Sequence, residues 1–108
     1  MFGNMGKMMK IAGEMKTRLP EVQERIGNSE FTAEAGGVVA ATVNGRMKLI
    51  SVKISPEALA DEATDAEMLE DLIVAAVSGA QEQAAEAMRE AMRELTGGMD
   101  IPGLTDAL

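Results

Sequence analysis

Six carboxylates crowd the eleven residues from Asp61 to Asp71: Asp61, Glu62, Asp65, Glu67, Glu70 and Asp71. Such a cluster could hold a divalent cation, but it lacks the Asp-x-Asp-x-Asp-Gly spacing that wraps oxygen ligands around calcium. Helix capping and a solvated face account for it more simply. A second set of capable groups is cationic. Lys7, Lys10, Lys16, Arg18 and Arg25 all fall in the first quarter of the chain, and by default they are solubilising surface. The ten methionines could line an adaptable groove for a partner helix, although at helical spacing methionine is usually core. Gly36-Gly37 and Gly97-Gly98 suit a turn and a helix cap, since neither lies in a phosphate-cradling loop that leads into a helix.

The chemistry that is missing narrows the function further. The chain has no His, Cys, Tyr or Trp, so the usual neutral-pH base, the thiolate nucleophile and the nitrogen and sulfur ligands of zinc are absent. A non-enzymatic protein without metal, cofactor or small-molecule substrate is expected. The lack of cysteine fits a reducing cytoplasm. Lys7, Lys10, Glu14 and Lys16 break the Met-rich start, so it does not read as a signal peptide. The uncharged run from Leu72 to Gln81 falls far short of the roughly 20 residues of a membrane span. A soluble cytoplasmic protein with no membrane contact is expected.

The formal charge of −8 is unevenly spread. Residues 1–55 carry eight basic and five acidic residues, a local +3, whereas residues 56–108 carry two basic (Arg89, Arg93) and thirteen acidic, a local −11. A polyanion would have to approach the N-terminal half.

At 108 residues the chain reads as a single domain. Met5, Met8, Ala12, Met15, Leu19, Val22 and Ile26 alternate at three and four, the seam of a helix packed lengthwise on another. The seam continues through Pro20, which predicts one kinked helix over residues 1–28. A three-stranded antiparallel meander is expected over residues 30–54. Its strands are Glu30 to Ala35, Val38 to Val43 and Arg46 to Ile54, with a turn at Gly36-Gly37 and a two-residue type I′ turn at Asn44-Gly45. That turn pairs Val43 with Arg46 and Val39 with Ile50, and puts Val39, Ala41, Val43, Ile50, Val52 and Ile54 on one core face. Val38, Ala40, Met47 and Leu49 make the opposite face apolar too. A connection over Glu57 to Ala63, with room for a short helical turn, leads to a long helix over residues 64–97. That helix opens with a Thr64/Glu67 capping box and closes at Gly97-Gly98. Its apolar stripe runs through Leu69, Leu72, Ile73, Ala76, Val77, Ala80, Ala84, Ala87, Met88, Ala91 and Leu95. Residues 98–108 read as a mobile tail. The fold class is α+β. The uncovered seam Met5, Met8, Met15, Leu19, Val22 and Ile26 is the candidate dimer interface, because apolar patches of that size are rare on monomers.

Five segments, in order, resemble the YbaB/EbfC family of small bacterial nucleoid-associated proteins: MFGNMGKMMKIAGEM, GGVVAATVNG, VKISPEAL, EMLEDLIVAAV and LTGGMDIPGL. The resemblance spans nearly the whole chain. It implies a helix, a three-stranded sheet and a helix, assembled as a two-fold homodimer with protruding helices likened to tweezers. It also implies largely sequence-tolerant binding of double-stranded DNA in the nucleoid, with Lys7, Lys10, Lys16, Arg18 and Arg25 as the DNA-contact candidates. The rival reading is a dimeric interaction module whose Met-rich helix captures a partner helix.

Overall fold

The structure is a computed structural model and describes residues 2–97. Its elements in chain order are α1 (Phe2–Asn28), β1 (Glu30–Ala35), β2 (Val39–Asn44), β3 (Leu49–Ile54), α2 (Pro56–Ala60) and α3 (Ala66–Leu95). The strands pair antiparallel in the order β1-β2-β3. The expected α+β meander between two long helices is therefore present. The tail expected over residues 98–108 lies outside the described residues.

α3 lies across β1 and β2 and leaves the β3 edge uncovered. Its Ala76, Ala80 and Ala84 are completely buried, as are Ala41 and Val43 on β2. Ala76 joins Val39 and Ala41 in one core cluster, with Leu69, Leu72, Ile73, Val77, Val52 and Ile54 packed around it. Ala80 and Ala84 join Val43 in a second, flanked by Phe31 and Ala33. Alanine at every fourth position lets the helix sink onto the sheet. A methyl added at Gly79 would stand 3.1 Å from the Ala33 methyl.

The β2–β3 hairpin departs from the expected turn. The pair of left-handed residues that a type I′ turn needs is at Gly36 and Gly37 (φ 60° and 70°), where the Val38 N–H donates to the Ala35 carbonyl. At Asn44 the loop instead has three residues, Gly45, Arg46 and Met47. Met47 is the left-handed one (φ 68°), and the Asn44 N–H donates to the Lys48 carbonyl. The Asn44 side-chain oxygen accepts the N–H groups of Arg46 (2.8 Å) and Lys48 (3.1 Å), which explains why this residue favours the wider loop. Val39 consequently faces Ile54 rather than Ile50, and Val43 faces Leu49 rather than Arg46. From Val39 to Thr42 the slip is four residues, an even number, so Val52 and Ile54 keep the core face, whereas at Val43 it is three. Ile50 does not. It is the extra residue of a bulge between the Thr42–Ser51 and Val43–Leu49 pairs, and it is 47% exposed.

Two helix boundaries also shift. α3 is capped by Asp65, whose carboxylate accepts the Met68 N–H at 2.8 Å, so the expected Thr64 box is replaced by an aspartate one residue later. At its other end Gly97 takes φ 65° and donates to the Glu94 carbonyl, a left-handed cap of the expected kind. The short helical turn after the sheet starts at Pro56, with Pro fitting the first turn where no N–H is needed. α1 runs unbroken through Pro20.

Gly45 is required by close approach. A methyl built there would overlap the Ile26 carbonyl and lie 2.9 Å from the Gly27 Cα. The end of α1 thus sits directly on the hairpin, an arrangement fixed further by the Arg46 guanidinium, which lies over Gly27 and donates to the Asn28 side-chain oxygen at 2.9 Å. Gly45→Ala should destabilise the fold by about 2 kcal/mol, since backbone must move to admit the methyl. Urea unfolding checks this, with Gly37→Ala separating a left-handed-backbone effect at an open site from a close-approach effect at Gly45.

Candidate nucleic-acid interface

Helices of 27 and 30 residues are about 40 and 45 Å long, longer than six-residue strands can cover. The molecule measures 70 × 21 × 16 Å, and its radius of gyration is 19.3 Å, against about 13 Å for a compact chain of this size. The excess is the α1–α3 pair. The two run antiparallel beyond the sheet, so that Lys7, Lys10, Ile11, Glu14 and Arg18 of α1 and Glu94 to Gly97 of α3 line one shared cleft of about 360 Å³.

All five cationic candidates on α1 are exposed. Lys7, Lys10 and Arg18 share the flank that opens on this cleft. Arg25, eighteen residues or five turns after Lys7, continues the same line by helical spacing. Lys16 does not belong to the line. Two residues before Arg18, it falls roughly on the opposite side of the helix. Periodicity alone could have sorted these five, because the signal was the 3.6-residue repeat of charge and not the count of charges.

The arginines of α3 are engaged otherwise. Arg89 reaches Glu86 at 2.6 Å and Arg93 reaches Glu90 at 2.7 Å, both three residues apart on the same helix. Among the described residues these are the only ion pairs, so none of the five α1 cations has an acidic partner within bridging distance among those residues. The hydrogen bond and charge of Arg89 hold the Glu86 carboxyl below the usual carboxylate range. Arg46 is occupied at the α1 end, as described above.

The acidic cluster is dispersed. Asp65 caps α3 and the Asp61 carboxylate accepts the Ala63 N–H at 2.9 Å. Among the described residues no three acidic groups converge as a metal site would need. No described helix is long and apolar enough to cross a membrane.

The candidate dimer seam divides in two. Met15, Leu19, Val22 and Ile26 are half-buried within the chain itself, where α1 meets α3 and β2, whereas Met5 and Met8 are 62% and 61% exposed. Two apolar side chains of β3, Leu49 and Ile50, are also 45% and 47% exposed. Leu49 belongs to the sheet face expected to be apolar, and Ile50 is exposed because the bulge takes it off the core face.

The described residues form an elongated helix pair on a small antiparallel sheet, with one cationic flank on α1. The chain belongs to the YbaB/EbfC DNA-binding family, whose model matches residues 1–99. It is 44% identical over 105 residues to a nucleoid-associated protein of Pelotomaculum thermopropionicum, covering 96% of this chain and 98% of that one. It is 47% identical over 103 residues to one from Clostridium perfringens strain SM101, covering 94% and 90%. The fold is similar to the crystal structure of an uncharacterized Helicobacter pylori protein, with a TM-score of 0.57 at 20% identity over 72% of this chain and 89% of that one.

Arg89→Gln should return the Glu86 carboxyl toward its ordinary range. Because the native shift is downward, the pair's contribution to stability is present above the ordinary carboxylate range and fades as pH falls through the lowered value. Carboxyl-carbon NMR titration of Glu86 in both proteins checks the direction.

Proposed function

We propose that this chain is a nucleoid-associated, DNA-binding protein without enzymatic activity, working as a homodimer that grips duplex DNA with little regard to sequence. The observation that carries this reading is the exposed line Lys7, Lys10, Arg18 and Arg25 on a projecting helix, with no ion pair to another described residue, set against α3 arginines already paired with their own glutamates. Lysine and arginine held this way neutralise phosphates and release counterions without reading base edges. A dimer carries twice −8 formal charges, so the acidic first turns of α3 must point away from the duplex and the tips of the helix pairs toward it. Lys16, on the other side of α1, contributes less to the grip. The family name and the names of the relatives support the DNA-binding and nucleoid assignments. Nothing favours the partner-helix reading.

Mobility shifts in a salt series test the grip. With at most four line cations per subunit, the slope of log affinity against log salt should lie between about 3 and 7. Lys10→Glu with Arg18→Glu should weaken binding more than tenfold, at about 0.9 counterions per lost contact and with like-charge repulsion added. Arg89→Glu with Arg93→Glu should have a smaller effect. If the α3 pair proves the more damaging, the contact surface is on α3.

We infer further that the subunits meet through the uncovered β3 edge. Two copies of Leu49 and Ile50 related by a two-fold axis would cover each other, as an isologous interface requires, whereas most of the α1 seam is already half-buried in its own chain. Light scattering should give twice the chain mass for the native protein and one chain mass for Leu49→Glu with Ile50→Glu. A native monomer would refute the assembly, and a dimer that survives both substitutions would move the interface to Met5 and Met8.

A further inference from the structure

A single residue, Ser29, joins α1 to the sheet, and Lys7 stands twenty-one residues from the foot of the helix at Asn28. That is about 31 Å of helix. A tilt of about 10° at the foot would swing Lys7 through about 5 Å, enough to take its ammonium out of reach of a phosphate oxygen. The direction of α1 therefore matters as much to a grip on DNA as its charges do.

The contact of Gly45 with the Ile26 carbonyl stops the foot from moving into the loop but does not stop it from moving away. Above that contact a cleft of about 510 Å³ opens between Pro20, Gln23 and Glu24 of α1, Gly45 and Arg46 of the loop, and Met88 of α3. Here α3 does not brace α1, and Pro20, which has no N–H, removes one backbone bond of the helix beside the same cleft. Arg46 spans the gap. Its Nη1 donates to Asn28 Oδ1 at 2.9 Å, and a methyl built on the buried Gly27 would stand 3.0 Å from its Cζ. Among the described residues this is the one side-chain hydrogen bond that joins α1 to the hairpin or to α3. We propose that Arg46 is a positioning residue for DNA binding, a strut that sets the direction of α1 and acts through Lys7 and Lys10, an inference that rests on the DNA-binding reading. The guanidinium suits this role because its flat face lies over Gly27 while its edge donates to Asn28, a pair of contacts that a lysine ammonium does not reproduce.

Pulsed electron-spin distance measurement tests the strut without any DNA. In a chain without cysteine, spin labels at Met9→Cys on α1 and Glu34→Cys on β1 should give one narrow distance when labelled chains are diluted with unlabelled ones. Adding either Asn28→Ala or Arg46→Lys should broaden or shift that distance, and an unchanged distribution in both would overturn the proposal. In the DNA arm each variant should bind an unrelated duplex about fivefold more weakly, since affinity falls with the fraction of helices in place and one hydrogen bond holds them there. The double variant should bind no more weakly than either single one, because both substitutions remove the same bond. Native affinity in both Asn28→Ala and Arg46→Lys, with a loss only in Arg46→Gln, would overturn the strut by making Arg46 a direct phosphate contact. Failure of the native chain to bind DNA would count against the DNA-binding reading, and the spin distances would still decide whether Arg46 holds α1.

Discussion

The seating of Ala76, Ala80 and Ala84 on β1 and β2 is the constraint from which the rest of the architecture follows. A helix that presents methyl groups at every fourth residue approaches a sheet more closely than one that presents leucine, and close approach excludes water with few atoms. The gain per residue is small, because hydrophobic stabilisation scales with area, at about 25 cal/mol per Å². Val39 and Val43 are accordingly the largest fully buried side chains. The chain has a narrow core, and narrow cores leave apolar surface for partners. Because the strands are only six residues long, the sheet holds α3 as far as Ala84 and releases the rest to pair with α1. The projecting arm is thus a by-product of the same contact that forms the core.

Long periodic segments were legible in the sequence because their signal is redundant. Seven seam positions specify α1 even with Pro20 inside it, and eleven stripe positions specify α3. The hairpin was misread because Asn-Gly has two uses. A type I′ turn needs glycine for its left-handed backbone, but here glycine is needed because the Ile26 carbonyl leaves no room for a Cβ, and Met47 takes the left-handed position instead. That contact joins residues nineteen apart, and no local pattern records it. The loop change moved the partners of Val39 to Thr42 by four residues and that of Val43 by three, leaving Ile50 in a bulge, so its exposure could be seen only in three dimensions. The α3 cap was misplaced by one residue, since Thr64 and Asp65 are both good caps and only the chain's path from α2 selects between them.

The charge asymmetry was visible in the sequence, but its meaning depended on pairing. Formal charge counts Arg89 and Arg93 equally with Lys7 and Arg18. The structure separates them: the first two are each within 2.7 Å of a glutamate on their own helix, and the last two face an open cleft. An arginine that must first leave a carboxylate gains less from a phosphate than one that leaves only water. The same helix that is acidic overall is therefore also the one whose few cations are least available, and the proposed grip accordingly assigns the polyanion to α1.

Lysine-reactivity footprinting by mass spectrometry tests this orientation most directly, because the five lysines report on separate surfaces. Lys7, Lys10 and Lys16 are on α1, Lys48 flanks the hairpin, and Lys53 is on β3. Adding duplex DNA should protect Lys7 and Lys10 from acylation, Lys16 less, and Lys48 and Lys53 not at all. Protection centred on Lys48 or Lys53, with Lys7 and Lys10 still reactive, would contradict the account by placing the nucleic acid on the sheet.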